Sequence, residues 1–202
     1  MHTRRFSREV DMAMNYPFVT AKHFTVGRNG VKPRLIVIHT METPENRGRA
    51  HQVAVWFSGA NAPQASAHYG VDDAEIYQMV KETDTAWAVD DWDLNQASIS
   101  VEHAGSASQT PTQWTDTYSL SELALSARLT ADIAHRNNIP VVKLTPADIL
   151  AGKSGFCGHN DITIAKKIAG GHTDPGANFP WNAYLKQVSD TLAKLTAPVV
   201  KP

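Results

Sequence analysis

The sequence has a single cysteine, no long apolar run and no marked excess of either charge. Because Cys157 stands alone, an internal disulfide is excluded, and stability must come from a hydrophobic core, with a bound metal as a further contribution. No stretch approaches the ~20 apolar residues that a transmembrane helix needs. The 19 Lys and Arg residues balance 20 Asp and Glu residues, so no overall field favours nucleic acid or an anionic membrane surface. We expect neither nucleic-acid binding nor membrane insertion.

The chain does have the composition and length of one compact domain: 202 residues, of which 42% are hydrophobic and 19% charged. Residues 1–32 are predicted to be an N-terminal arm packed on the domain. Residues 33–195 form the domain itself, and residues 196–202, with two prolines, form a linker stub. The arm lacks an apolar segment ahead of a cleavage site, so we expect no signal peptide. A substrate outside the cytoplasm would then require another route of delivery.

Short apolar runs predict the strands of the domain. Residues 35–38 form a continuous β-branched run, typical of a buried central strand, and His39 lies at its C-terminal end. The runs 67–71 and 76–80 flank a polar turn and predict an antiparallel hairpin. A further short strand ends at Glu102.

Three segments have helical spacing of apolar residues: 48–57, 119–137 and 181–195. Ser119 followed by Glu122 three residues later is a capping-box pattern, which predicts where the second helix begins. Strands and helices together predict an α/β fold with a central mixed β-sheet. We expect the second and third helices to cover the faces of this sheet.

Residues suited to zinc occur at three distant places in loops or at strand ends: His39, His159 and Asp174. A zinc hydrolase typically keeps three protein ligands from His and carboxylate and leaves one position for water. Each residue alone has an ordinary explanation, because a strand-end histidine is usually a hydrogen-bonded core residue and Asp-Pro-Gly is common turn chemistry. Only their combination, with the acidic strand end at Glu102 between them, favours a metal site.

The combination resembles the type-2 N-acetylmuramoyl-L-alanine amidases, a family that includes phage lysins, bacterial cell-wall recycling amidases and animal peptidoglycan recognition proteins. The resemblance covers about residues 33–188, and within the family it is strongest to the amidase domains of phage endolysins that act on actinobacterial or mycobacterial hosts. The matched segments, in the family's order, are Ile36-Val37-Ile38-His39-Thr40, Ser66-Ala67-His68-Tyr69, Ile76-Tyr77-Gln78, Ala86-Trp87, Ser98-Ile99-Ser100-Val101-Glu102, Gly158-His159-Asn160-Asp161 and Thr173-Asp174-Pro175-Gly176.

The resemblance implies one Zn²⁺ per chain, held by His39, His159 and Asp174, in a cleft at the strand ends. It also implies catalytic roles for Glu102, as the residue that transfers protons, and for His172, as a donor to the developing oxyanion. Some relatives use a tyrosine where this chain has Ala67. The version of the mechanism that depends on that tyrosine is therefore not expected here.

Two further residues are implied to contact the substrate. His68 lines or braces the groove, with a packing role as an equal alternative, and Trp87 flanks the cleft, although the histidine that usually follows it is Ala88 here. The remaining histidines have no counterpart, and we expect surface or helix-face positions for them: His2, His23, His51, His103 and His135. Cys157 is interpreted as a buried thiol rather than a metal ligand.

The implied activity is hydrolysis of the amide between the lactyl group of N-acetylmuramic acid and L-alanine of the peptidoglycan stem peptide, which lyses the cell wall. Peptidoglycan is then the partner, and we expect a monomer that either stands alone or is one domain of a modular lysin. A phage lysin would accumulate in the host cytoplasm and be released to the wall. The alternatives are a non-catalytic peptidoglycan-binding module of the same fold and a zinc peptidase that cuts within the stem peptide.

Overall fold

The computed structural model describes residues 16–197, so the first 15 residues of the arm and the end of the linker stub lie outside the described residues. The strands, in chain order, are β1 (Phe24–Thr25), β2 (Leu35–Thr40), β3 (Tyr69–Val71), β4 (Ile76–Gln78), β5 (Thr85–Ala86), β6 (Ser98–His103) and β7 (Gly155–Gly158). The helices are α1 (Arg49–Ser58), α2 (Trp92–Ala97), α3 (Thr117–Asn137), α4 (Pro146–Leu150), α5 (His159–Lys166) and α6 (Trp181–Thr196). None of the described helices has the length and apolarity to cross a membrane.

Five strands form the central mixed sheet in the order β4-β3-β6-β2-β7, which confirms the predicted fold class. Strand β2 lies between parallel neighbours β6 and β7, and β3 pairs in parallel with β6. The predicted hairpin is confirmed, because β3 and β4 pair antiparallel. Strands β1 and β5 form a separate two-stranded ribbon. The C-terminal ends of three parallel strands, β6, β2 and β7, therefore meet at one edge of the sheet.

The two faces of the sheet are covered by different groups of helices. On one face, Ile36 and Ile38 of β2 belong to a buried cluster with residues of both α3 and α6. The two helices predicted to cover the sheet therefore both lie on this one face. The opposite face is buried beneath α2, α4 and α5, none of which the sequence predicted, through Leu94, Ile149 and Ile162.

Helix α3 begins two residues before Ser119, so the predicted capping box was wrong. Asp116 is the N-cap, and its carboxylate accepts a hydrogen bond from the backbone N–H of Ser119 at 2.9 Å. Glu122 instead points into the protein and accepts from the N–H of Ala104 at 2.6 Å. The C-terminus lies where it was predicted, because Asn138 adopts a left-handed conformation directly after the last helical residue.

The described part of the N-terminal arm lies along the edge strand β4. The N–H groups of Val19 and Ala21 donate to the carbonyls of Gln78 and Met79, each at 3.0 Å. Farther along, the guanidinium of Arg28 is buried and donates to the carbonyls of Gln96 and Ser98. The arm thus covers an exposed sheet edge and reaches the start of β6. The proposed domain boundary at residue 32 stays a prediction.

Candidate metal centre and active-site cleft

The structure brings together the three residues that the sequence nominated as metal ligands. Asp174 Oδ2 lies 3.1 Å from His39 Nδ1, and Asp174 Oδ1 lies 3.4 Å from His159 Nδ1. One potential ligand atom from each of the three residues lies within 4.8 Å of the others. The residues are separated by up to 135 positions in the sequence (174 − 39), yet the fold brings them into one cluster.

Strand pairing explains how these residues meet. His39 lies near the end of β2, and His159 directly follows the neighbouring parallel strand β7. Asp174 lies in the loop between α5 and α6, and its carbonyl accepts from the N–H of Asn160 at 2.9 Å. The loop approaches closely because β7 ends in Gly158, where a Cβ would lie only 2.5 Å from the ring of Pro175. A glycine at this position therefore brings the carboxylate to the two imidazoles.

The protonation states of these groups fit a transition-metal site. Burial lowers the pKa of His39, against the opposing effect of Asp174, and so favours the neutral imidazole that binds metals. Burial alone would raise the pKa of Asp174, but hydrogen bonds from His159 and His39 and their charges outweigh it, so the pKa is held below its usual range. Two imidazoles and one carboxylate are a donor set that zinc hydrolases use, so these residues fit a zinc ion.

Glu102 lies opposite His39 in the parallel register of β6 and β2, so both side chains project from the same face and end of the sheet. Its side chain is half-buried and lines the cleft beside the three clustered residues. Burial, with the nearby charges of Asp174 and Glu42, raises the pKa of Glu102 well above its ordinary value. The structure thus holds a carboxyl group with high proton affinity next to the candidate metal centre.

His172 lies at the mouth of the same site, with 56% of its side chain exposed. Its ring stacks on that of His159 with centroids 4.2 Å apart and an angle of 14°. Nδ1 lies 3.5 Å from Asp174 Oδ1, and Nε2 lies 3.6 Å from Asp90 Oδ2. An exposed imidazole therefore borders the space in which a bound carbonyl could be attacked.

The site opens into a cleft of about 520 Å³. Trp87 lines one wall of the cleft, and its indole N–H donates a 3.0 Å hydrogen bond to Thr25 Oγ1, which fixes the ring. Helix α1 forms another wall and contributes Gln52, Trp56 and Phe57. The indole of Trp56 is 56% exposed, which is unusual for so large an apolar group and suits a surface that binds ligand. The cleft thus extends from the polar centre along an apolar wall.

His68 is not among the residues that line this cleft. Its side chain is completely buried, with Nδ1 3.1 Å from the N–H of Ser100 and Nε2 2.7 Å from the guanidinium of Arg28. Burial, reinforced by the charge of Arg28, lowers the pKa of His68 to about 3. The bracing role that was left open fits this position, because His68 links the arm to β6.

His103 is the histidine that sequence reasoning placed wrongly, since it is fully buried rather than at the surface. The alternation along β6 could have identified it, because residues 99, 101 and 103 share the face that packs on the core. His51 and His135 are exposed on helices as predicted, His23 is half-buried, and His2 lies outside the described residues. Cys157 is a buried free thiol, also as predicted.

The chain is similar to proteins of known family and to several solved structures. The family model described as N-acetylmuramoyl-L-alanine amidase matches residues 29–177, about three quarters of the chain. No curated protein sequence matches the chain significantly.

Several solved structures share the fold. AmpD superposes with a TM-score of 0.63 at 20% identity, over 87% of this chain and 95% of AmpD. The hydrolase AmiA of Staphylococcus aureus has a TM-score of 0.63 at 18% identity, over 90% of this chain and 85% of AmiA. The N-acetylmuramoyl-L-alanine amidase LysC of Clostridium intestinale has a TM-score of 0.52 at 14% identity, over 87% of this chain and 99% of LysC.

Proposed function

The chain belongs to the N-acetylmuramoyl-L-alanine amidase family, and from this premise we propose that it is a zinc-dependent enzyme that lyses bacterial cell walls. The bond cut is the amide between the lactyl group of N-acetylmuramic acid and L-alanine of the stem peptide. The observation that carries the proposal is the convergence of two imidazoles and a carboxylate, within 4.8 Å, at one end of a cleft.

In this proposal His39, His159 and Asp174 hold one zinc ion. A zinc ion held by these residues would supply Lewis-acid chemistry, because it would polarise a carbonyl oxygen and lower the pKa of a bound water toward about 7. The three residues keep the donor atoms buried, at 2%, 3% and 5% exposure, so bulk water does not compete for them. The chain's own contribution is therefore a preformed set of three donors with one side left open toward the cleft.

Glu102 is proposed to transfer protons. Its carboxylate accepts a proton from the attacking water and then donates it to the nitrogen of the departing alanine. Its position supports this role, because it borders the cleft opposite His39 without belonging to the three clustered donors. Burial, and after it the charges of Asp174 and Glu42, raise the pKa of this carboxyl group and so its affinity for that proton.

His172 is proposed to donate a hydrogen bond to the carbonyl oxygen as negative charge develops on it. Stacking against His159 and the two carboxylates near its ring nitrogens restrain its orientation, which is a condition for preorganised stabilisation. Trp87 and the α1 wall are proposed to hold the muropeptide along the cleft. The enzyme is further proposed to be one of the lytic amidases of phages, acting as a monomer or as one domain of a modular lysin.

The discriminating experiment compares Glu102→Gln with the parent protein in wall clearing and metal content. We expect zinc content to stay unchanged and clearing to fall at least about a hundredfold, as for loss of a general base. Glu75→Gln, an exposed carboxylate on the β3–β4 turn, serves as the matched control. Parental clearing by Glu102→Gln would eliminate the assigned role.

Mass spectrometry of the digest identifies the bond. Free stem peptides that begin with L-alanine are the expected product. New termini inside the stem peptide would instead support a zinc peptidase. Wall binding by the zinc-loaded protein without any released product would support a binding module.

A further inference from the structure

A second set of metal-binding side chains lies beside the first and shares one residue with it. Asp90, His159 and His172 also place one potential ligand atom each within 4.8 Å of one another. Asp90 Oδ2 lies 3.6 Å from His172 Nε2. In the proposed hydrolysis Asp90 only restrains the ring of His172, so the presence of a second set of ligand atoms needs its own explanation.

His159 can serve both sets because its two ring nitrogens differ in their surroundings. Nδ1 lies 3.4 Å from Asp174 and belongs to the first set. Nε2 is buried and has no hydrogen-bond partner among the described residues, although the whole residue is only 3% exposed. An unpaired buried nitrogen is costly unless something binds it, and each nitrogen of an imidazole can bind a metal ion. Because the neutral ring carries one N–H, binding through both nitrogens releases that proton to solvent.

The backbone that carries Asp90 is fixed rather than free. Asp90 has a positive φ of 52°, an uncommon conformation for a residue other than glycine. The next residue, Asp91, caps α2 and forms an ion pair of 2.8 Å with Lys166 of α5. The preceding N–H groups, those of Ala88 and Val89, both donate to Asn95 Oδ1. These contacts fix the backbone of Asp90, and its carboxylate lies 3.6 Å from His172 Nε2.

We propose that Asp90, His159 and His172 form a second, weaker site for a divalent transition metal such as Zn²⁺, and that its occupation inhibits the enzyme. The site is weaker because two of its side chains, those of Asp90 and His172, are 60% and 56% exposed and keep their hydration. Binding there engages the imidazole of His172, which can then no longer donate to the substrate carbonyl. The metal site itself does not depend on the proposed function, whereas the inhibition rests on the role proposed for His172.

The test measures zinc stoichiometry and wall clearing separately on the same protein. Equilibrium dialysis against rising Zn²⁺ should give about two ions per chain in the parent and about one in Asp90→Asn, which keeps the first set intact. Asp93→Asn, an exposed aspartate on α2, is the matched control and should bind as the parent does. For the parent and the control, clearing should fall when the second ion binds; for Asp90→Asn, the ratio of clearing at high and low zinc should stay near one.

Each outcome has a distinct meaning. A parent that takes up only one ion, or an Asp90→Asn variant that still takes up two, overturns the second site. A second ion that depends on Asp90 but leaves clearing unchanged overturns the inhibition. Failure of the proposed function would appear differently, as absence of released L-alanine peptides at one ion per chain, with the stoichiometries unaffected.

Discussion

His103 donates a hydrogen bond from Nδ1 to the backbone carbonyl of His39, over 3.2 Å. A carbonyl only accepts, so Nδ1 carries the proton, and the neutral ring must then accept at Nε2 from the hydroxyl of Ser126, 2.6 Å away. Ser126 Oγ lies 2.8 Å from the hydroxyl of Tyr184. A buried chain of polar groups therefore connects α3 and α6 to the strand end that carries a candidate metal ligand.

We expect Ser126→Ala to loosen this strand end. The substitution leaves Nε2 of His103 buried without a donor, which costs about 1–3 kcal/mol of unfolding free energy. Zinc affinity should fall as well, because the position of the His39 backbone is less restrained. Ser121→Ala is the control, since its hydroxyl donates only to a carbonyl of the same helix at an exposed position. Unfolding in urea and zinc competition with a chelator provide the two measurements, and equal effects of both substitutions would contradict the expectation.

His103 should also contribute to the loss of stability in acid. Burial lowers its pKa to about 4, so folding weakens proton binding relative to the unfolded chain, whose histidine pKa is about 6.5. The unfolded state then binds more protons between these values, and the free energy of unfolding falls as pH drops through this window, by about 1.4 kcal/mol per pH unit for this group.

The measurement is urea unfolding of the zinc-free protein at pH 7, 6 and 5. Other buried groups, such as Glu122 with its raised pKa, act in the opposite direction, so the contribution of His103 is read as a difference. His103→Gln should show the smaller loss of stability on acidification, whereas the exposed His135→Gln should follow the parent. Parallel curves for the parent and His103→Gln would refute the assignment.

Asp174→Asn should remove most of the stabilisation that zinc provides. The amide is a poor ligand compared with the ionised carboxylate, and a ligand at a hundred times its dissociation constant stabilises the folded state by about 2.7 kcal/mol. We therefore expect the thermal midpoint of the parent, but not of the variant, to rise with added zinc. Asp190→Asn, exposed on α6, should respond as the parent does. An undiminished zinc response in Asp174→Asn would remove this residue from the metal set.

Gly176→Ala should weaken metal binding by displacing the loop that carries Asp174. Gly176 has a φ of +91°, and a Cβ there would lie 2.0 Å from the carbonyl oxygen of Ala107. Gly170→Ala separates this clash from backbone strain, because Gly170 also has a positive φ, of +66°, but no described atom within 4 Å of a Cβ. Both variants should lose stability, while only Gly176→Ala should show weaker zinc binding in calorimetry. Equal affinities in the two variants would show that the loop tolerates the displacement.

The sequence predicted those strands whose own residues favour extended structure. Residues 35–38 are β-branched or leucine and lie at the centre of the sheet, where that preference and burial agree. By contrast, β7 has the sequence Gly-Phe-Cys-Gly and becomes a strand through its pairing with β2, which no local pattern reveals. Helices α4 and α5 have only five and eight residues, too few for a helical period to stand out.

The residues of the site also divide into those that local sequence predicts and those that it does not. His39 and Glu102 could be located because each ends a recognisable strand, and the register now places them side by side. His159 and Asp174 depended on the resemblance, since either residue alone has an ordinary explanation in a turn. The burial of His68 could not be predicted, because it results from Arg28 of the arm reaching its ring across 40 positions of sequence.

The placement of β2 between two parallel strands has a consequence for how an ion would leave the protein. Strand β2 is hydrogen-bonded to a neighbouring strand on each side, so its amides should exchange with deuterium only on global unfolding. Asp174, in contrast, lies in the loop between α5 and α6, outside any strand or helix. We therefore expect the part of the site around His39 to stay ordered as long as the sheet is folded, and the part around Asp174 to open by local fluctuations. The bound ion would leave when that loop opens, on a timescale far shorter than the lifetime of the folded sheet.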